Sequence, residues 1–176
     1  PFMIYFGEEV GEKGMDEEGF SGRDGRTTIF DWWSVASIRR LRKLIASGKY
    51  RSSSVSELVE NGLMKEEAEL FLRFTEAIRF AAEDCSIRQG TTYDLCYCNM
   101  SSDGFDKNRH FVFLRDYEEH TLLIAANFSN REAVMKLVIP EHAFEWMGIP
   151  KTEALHPGKV IEVKVQPMDG AIVTLI

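Results

Sequence analysis

The chain has 176 residues, 44% hydrophobic and 28% charged, an ordinary composition for one folded domain or two small ones. Its formal charge of −7 argues against a nucleic-acid partner, and its one basic cluster, Arg39, Arg40, Arg42 and Lys43, reads as a solvated helix face. No apolar run approaches the roughly 18 residues of a membrane span, so no membrane-spanning role is expected. Three cysteines, an odd number, give no disulfide framework.

In chain order, Phe2 to Phe6 are uninterruptedly apolar or aromatic and run into Gly7, Glu8 and Glu9, the pattern of a strand buried on both faces with acids at its end. Nothing in the following stretch looks like a strand to flank it, so its neighbours are expected upstream. Left unpartnered, it is expected to pair with another copy of the chain through Phe2, Ile4 and Phe6. Residues 10–27 are rich in glycine and charge without periodicity, a long surface loop. Ser34 is placed to cap a helix over Val35 to Ala46, where Val35, Ile38, Leu41 and Ile45 recur at helical spacing. Ser54 or Ser56 caps a short turn through Val59 that ends at Asn61-Gly62. From about Met64 to Glu83, Leu70, Phe71, Phe74, Ala77, Ile78 and Ala81 trace an apolar stripe, with Glu66, Glu67 and Glu69 suiting the helix N-terminus.

From Thr91 the period falls to two. Tyr93, Leu95 and Tyr97 alternate with Asp94, Cys96 and Cys98, which puts both cysteines on one face of a strand as small buried thiols. His110 to Arg115, Thr121 to Asn127 and Ala133 to Ile139 follow as strands. Glu141 to Met147 makes one amphipathic turn, and Lys159 to Val165 with Ala171 to Leu175 read as a hairpin turning at Met168-Asp169-Gly170. The expected fold class is α+β: a helical N-terminal half over residues 1–90, then an antiparallel β-sandwich over residues 91–176.

Chemistry is sparse. Glu8 and Glu9, as neighbours on a strand, point to opposite faces and cannot flank one glycosidic bond, which needs carboxyls roughly 5 Å apart. The histidines at 110, 120, 142 and 156 have no ligand spacing, and neither a nucleophile elbow nor a Gly-rich phosphate loop occurs, so no metal or cofactor is expected. The adjacent Trp32 and Trp33, beside Asp31 and Arg26, offer aromatic faces with polar neighbours suited to a sugar, although paired tryptophans also commonly anchor the start of a helix in a core. Among Tyr93, Tyr97, Phe105, Phe111, Phe113 and Tyr117, alternation puts most in a core rather than on an exposed platform.

Four segments carry a family resemblance. Pro1 to Gly11, PFMIYFGEEVG, resembles the last barrel strand of the alpha-amylase family of glycoside hydrolases, usually G-x-P-x-I-Y-Y-G-x-E. Arg23 to Trp33 is similar to the R-T-P-M-Q-W-D loop that follows it, departing at Thr28-Ile29-Phe30. Ser86-Ile87-Arg88-Gln89-Gly90 resembles the (A)-I-R-x-G segment joining the last barrel helix to the C-terminal sandwich, and Leu123 to Ser129, LIAANFS, resembles that sandwich's L-V-V-L-N-F-S strand. The resemblance implies that residues 1–90 are the end of a (β/α)8 barrel and 91–176 its C-terminal sandwich, domain C. It also implies a parent acting on alpha-glucans and a partner in the missing N-terminal barrel. Arg26, Asp31, Trp32 and Trp33 would then face substrate. The family's catalytic motifs, G-F-R-x-D and N-H-D, do not occur, so no catalytic residue is assigned and the chain alone is expected to be inactive. A carbohydrate-binding or oligomerising module is the alternative.

Overall fold

A computed structural model describes residue 4, residues 7–12 and residues 35–176. Packing divides the chain into two units, Pro1–Phe80 and Ala81–Ile176. The described residues form helices followed by two antiparallel sheets, an α+β chain with a β-sandwich-like sheet unit.

In the first unit, α1 (Ala36–Ala46), α2 (Val55–Glu60) and α3 (Lys65–Glu83, whose last turn belongs to the second unit) gather Val10, Leu41, Leu44, Leu58, Leu63 and Ala68 into one apolar cluster. Ile4 is half-buried and lies in no element; Phe2 and Phe6, the rest of the expected strand, lie outside the described residues. Glu8 and Glu9 sit on a 3-10 turn, Glu8–Val10, and the Glu9 carboxylate accepts the Gly7 N–H at 2.9 Å. The N-cap position of α1 is Val35, which has no side chain to accept a hydrogen bond, and Ser34 lies outside the described residues. The acceptor comes instead from Glu12, whose Oε2 takes the Ile38 N–H at 2.9 Å. A remote carboxylate thus does the work usually done by a local cap, and its charge suits the helix N-terminus. Ser54 caps α2 as expected, accepting the Glu57 N–H.

Glu67 is not the surface acid that its place in the first turn of α3 suggests. It is 6% exposed, accepts the Met64 N–H at 2.9 Å in the manner of half a capping box, and holds the Arg40 guanidinium of α1 through both of its oxygens. Burial alone would raise this carboxyl; the hydrogen bonds from Arg40, Ser37 and the Met64 N–H outweigh it and lower the pKa to about 2. The folded value lies below the unfolded 4.5, so the contribution to stability is complete above that value and lost as pH falls toward 2. Arg40 is 33% exposed, so the expected loss is discounted for solvent screening to about 1 to 2 kcal/mol. Urea unfolding followed by helix circular dichroism at about pH 6 and about pH 2.5 should show this loss in the native chain and not in Glu67→Gln. Equal losses in both chains would contradict the assignment.

In the second unit α4 (Cys85–Gln89) leads into β1 (Thr91–Asp94), β2 (His110–Tyr117), β3 (His120–Asn127), β4 (Ala133–Val138), α5 (Glu141–Met147), β5 (Val160–Val165) and β6 (Asp169–Thr174). One sheet has the order β1-β2-β3-β6 and the other is the pair β4-β5, every pairing antiparallel. Inward residues of both sheets, among them Leu114, Leu123, Met135, Leu137 and Val163, meet Phe144 of α5 in a common core. The β2-β3 hairpin turns through Glu118 and Glu119, both at positive φ (48° and 65°), a tight turn made without asparagine or glycine.

Two strand expectations are corrected. β5 and β6 are not a hairpin: β5 lies on β4, while β6 crosses to the other sheet and lies on β3, with Leu123 opposite Val173 and Ala125 opposite Ala171. β3 is buried along most of its length, and pairing with β2 on one edge and β6 on the other satisfies both rows of its backbone groups. Cys96 and Cys98 are not on a strand either. β1 ends at Asp94, whose Oδ1 accepts the Cys96 N–H at 2.7 Å and turns the chain.

After that turn residues 99–105 run as a strap along β4, on the edge that β5 does not cover. Asn99, fully buried, accepts the Val138 N–H at 2.8 Å and donates to the Val138 and Leu95 carbonyls. The Asp103 carbonyl takes the Lys136 N–H at 2.9 Å, and Phe105 anchors the strap in the core. The strap satisfies β4 as a third strand would, which blunts an otherwise open sheet edge.

Candidate functional site

Arg26, Asp31, Trp32 and Trp33, the residues that the sequence points to for substrate, lie outside the described residues. The sheet unit carries two features of interest, a junction and a cleft.

At the junction, Asp84 caps α4 by accepting the Ile87 N–H at 3.0 Å, and its other oxygen meets Nε2 of His120 at 3.0 Å. Burial would raise the Asp84 carboxyl, but the His120 and Ile87 hydrogen bonds hold it below the usual carboxylate range. Arg115 of β2 donates to the carbonyls of Ser86 (2.9 Å) and Ile87 (2.6 Å), tying the last carbonyls of α4 to the sheet. Gly90 follows because nothing larger fits. A Cβ there would stand 2.3 Å from the Ser86 carbonyl oxygen and 2.6 Å from that of Asp116.

The cleft, about 350 Å³, opens along the edge strand β1 and is lined by Thr92, Tyr93, Asp94, Tyr97, His142 and Trp146. Tyr93 is its floor, 8% exposed, with the rings of Tyr97 (6.2 Å), His142 (5.8 Å) and Trp146 (5.8 Å) tilted about it. Tyr97 and Trp146 remain 52% and 56% exposed. Trp146 and His142 are four residues apart on α5 and so project from one face of that helix. The Tyr93 hydroxyl lies 2.6 Å from the Tyr97 hydroxyl and 3.0 Å from Nδ1 of His142, a three-member chain. Burial, then the bond to Tyr97, pushes the Tyr93 phenol above its ordinary value, so it stays a neutral hydroxyl. Thr92 accepts a hydrogen bond from Arg115, which leaves its own hydroxyl hydrogen to donate.

Cys96 and Cys98 lie beside the cleft, half-buried and free, and burial raises both thiols, which makes them poor nucleophiles. Among the described residues no group of three or more His, Cys, Asp or Glu is placed to hold a metal ion.

No family model matches this chain, and no curated protein matches it. Among solved structures it is similar to the ligand-free cyclic alpha-maltosyl-(1→6)-maltose hydrolase of Arthrobacter globiformis, at 12% identity and a TM-score of 0.40. The match covers 98% of this chain and 26% of that one, so the chain spans about a quarter of the length of that hydrolase.

The sequence reading held Tyr93 and Tyr97 among its aromatics but placed most of that set in a core. Tyr93 and Phe105 are buried, whereas Tyr97 and Phe111 are about half exposed. Spacing alone singles out neither Trp146 nor His142, which stands apart from the other histidines in sequence. The available signal was a tryptophan and a histidine at i, i+4 on a short amphipathic helix, which puts them on one face.

Proposed function

We propose that this chain is the non-catalytic C-terminal part of an amylase-like glycoside hydrolase acting on alpha-glucans, where it completes and stabilises the barrel. The observation that supports this reading is the place of two resembling segments. Ile87-Arg88-Gln89-Gly90 closes α4 and leads directly into the first strand, with Gly90 at a position where a side chain would strike two carbonyl oxygens. Leu123 to Ser129 begins in β3, the inner strand between β2 and β6, and its Asn127 is fully buried. That asparagine accepts the Ser129 N–H at 2.9 Å and donates to the carbonyls of Arg131, Val165 and Gln166, so N-F-S is a structural corner joining the two sheets.

In this reading the missing barrel is the partner and an alpha-glucan the substrate of the whole enzyme. Arg26, Asp31, Trp32 and Trp33 would meet it on the loop after the last barrel strand. The purified chain is expected to release no reducing sugar from starch or maltooligosaccharides, whereas the same chain expressed in frame with the coding sequence upstream of Pro1 is expected to do so. Release by the chain alone that survives Glu8→Gln and Glu9→Gln would sink the reading, as would an upstream sequence without an N-H-D motif. A second reading, a carbohydrate-binding module, is favoured by the exposed aromatic walls of the cleft.

A further inference from the structure

The geometry points to the cleft of Tyr93, Tyr97, His142 and Trp146 as a binding site for a neutral pyranose ring of an oligosaccharide. This inference deepens the second reading, the carbohydrate-binding module, and does not depend on the chain being the end of a barrel enzyme.

The aromatic part comes first. Two large rings half in water, meeting over a third that is buried, form a concave apolar surface at the edge of a sheet. Exposed aromatics gathered around a cleft mark binding sites more often than scattered ones do. The C–H face of a pyranose is flat, apolar and weakly electropositive, and it matches the negative face of a tyrosine or tryptophan ring.

The polar groups then narrow the class of ligand. The lining holds no lysine or arginine, and the Arg115 guanidinium behind Thr92 is committed to the Ser86 and Ile87 carbonyls, so a phosphate or carboxylate ligand would find Asp94 at the rim and no cation within the lining. A metal ion would find one carboxylate and one imidazole. Thr92 and Asp94 border the cleft from the edge of β1 with their side chains on the Arg115 and Phe113 face, so the polar contacts of a ligand on the Tyr93 side fall to the Tyr97–Tyr93–His142 chain.

The chain Tyr97–Tyr93–His142 adds a property that suits hydroxyls in particular. If His142 Nδ1 accepts from Tyr93, then Tyr97 donates inward and presents a lone pair. If Nδ1 carries the proton, each link reverses and Tyr97 presents a hydrogen. A sugar hydroxyl both donates and accepts, so either state serves it.

The edge of β1 contributes as well. Leu95 donates to Val112 of β2 at 3.0 Å, and the alternation of an antiparallel ladder therefore turns the backbone groups of Thr92 and Asp94 away from β2. An extended peptide adding to this edge would be the other occupant. The strand has only four residues, and the α5 aromatics stand at its flank, which favours a compact ring over a long strand.

The test uses the whole chain. Titration with maltoheptaose and, separately, with cellopentaose is followed by two-dimensional NMR, through the indole N–H of Trp146 in chains that keep it, assigned by its loss in Trp146→Phe, and through the backbone amides of β1 and α5 in the native chain and every variant. A saturable shift is expected at ligand concentrations of up to about 10 mM. Apparent affinity should fall at least about tenfold in Trp146→Ala and in Tyr97→Ala, and less in Trp146→Phe, which keeps a ring. Phe111→Ala, exposed on the opposite face of the sheet, should bind as the native chain does. Circular dichroism of each variant establishes that it folds. Preference for cellopentaose leaves the pyranose site standing and counts against the alpha-glucan reading; preference for maltoheptaose supports both. No saturable shift with either sugar overturns the inference, and so does binding that Trp146→Ala and Tyr97→Ala leave unchanged.

Discussion

Gly104→Ala is expected to cost the sheet unit roughly 3 to 5 kcal/mol, a large share of the stability of a domain this size. Two effects combine. Gly104 has φ +77°, where an L side chain is strained, and a Cβ built on it would stand 1.9 Å from the Val134 carbonyl oxygen and 2.9 Å from its carbon. Both atoms are backbone of β4, so relief cannot come from a side-chain rotation; the strap must lift or β4 must bend. Lifting the strap gives up the Asp103 carbonyl contact with Lys136 and loosens Phe105. The measurement is the thermal midpoint of the sheet signal, expected to fall by about 4 to 8 °C for each kcal/mol in a domain of roughly 100 residues. A midpoint within about 3 °C of the native chain would show that the strap does not hold β4 as described.

Asn99→Asp is expected to cost about 3 to 5 kcal/mol near neutral pH, and to do so with a pH dependence that a cavity would not have. The native amide, itself fully buried, donates to two carbonyls and accepts from the Val138 N–H and the Ser102 hydroxyl. A carboxylate keeps the acceptor and turns the two donor contacts into repulsions. Protonation restores one donor, so the folded-state pKa of the new carboxyl must rise above its unfolded value of about 4. The folded chain then holds more protons than the unfolded one, and stability falls as pH rises through that range. Asn99→Ala, which leaves the same partners unsatisfied without a charge, should be destabilised by an amount that does not vary with pH. Parallel pH profiles for the two variants would refute the argument.

Much of the fold was legible because its signals are local. β2, β3 and β4 alternate in burial along most of their lengths, and the expected strands fall within a residue or two of them. The helices over 36–46 and 65–83 were legible from their spacing, but not their buried faces: Ile45 and Ile78 of the expected stripes are exposed, while Leu44 in the first helix and Glu67 and Ala68 in the second are buried. What could not be read was non-local or borrowed. Met168-Asp169-Gly170 looks like a hairpin turn, yet whether β6 folds back on β5 or crosses to β3 depends on which edge stands open, and no short window contains that. Tyr-Asp-Leu-Cys-Tyr-Cys alternates perfectly but turns at Asp94, because one carboxylate offers the backbone a better partner than a ladder. The acceptor for α1 comes from Glu12, far from the place where a cap is sought. The cleft was hidden for the same reason. Its floor and its Trp146 wall come from β1 and α5, far apart in sequence, and each aromatic alone reads as core.

The crossing of β6 also has a consequence for the order in which the chain can fold. β3 finds β2 across a two-residue turn, a short search, but its second neighbour arrives only after β4, α5 and β5 have been made. During synthesis the strand at the centre of the larger sheet therefore waits with one full row of amides and carbonyls unpaired, flanked by Leu122 and Leu123, both buried in the finished protein. The window of greatest exposure to misassociation closes only when Asp169 to Thr174 have emerged and been laid down.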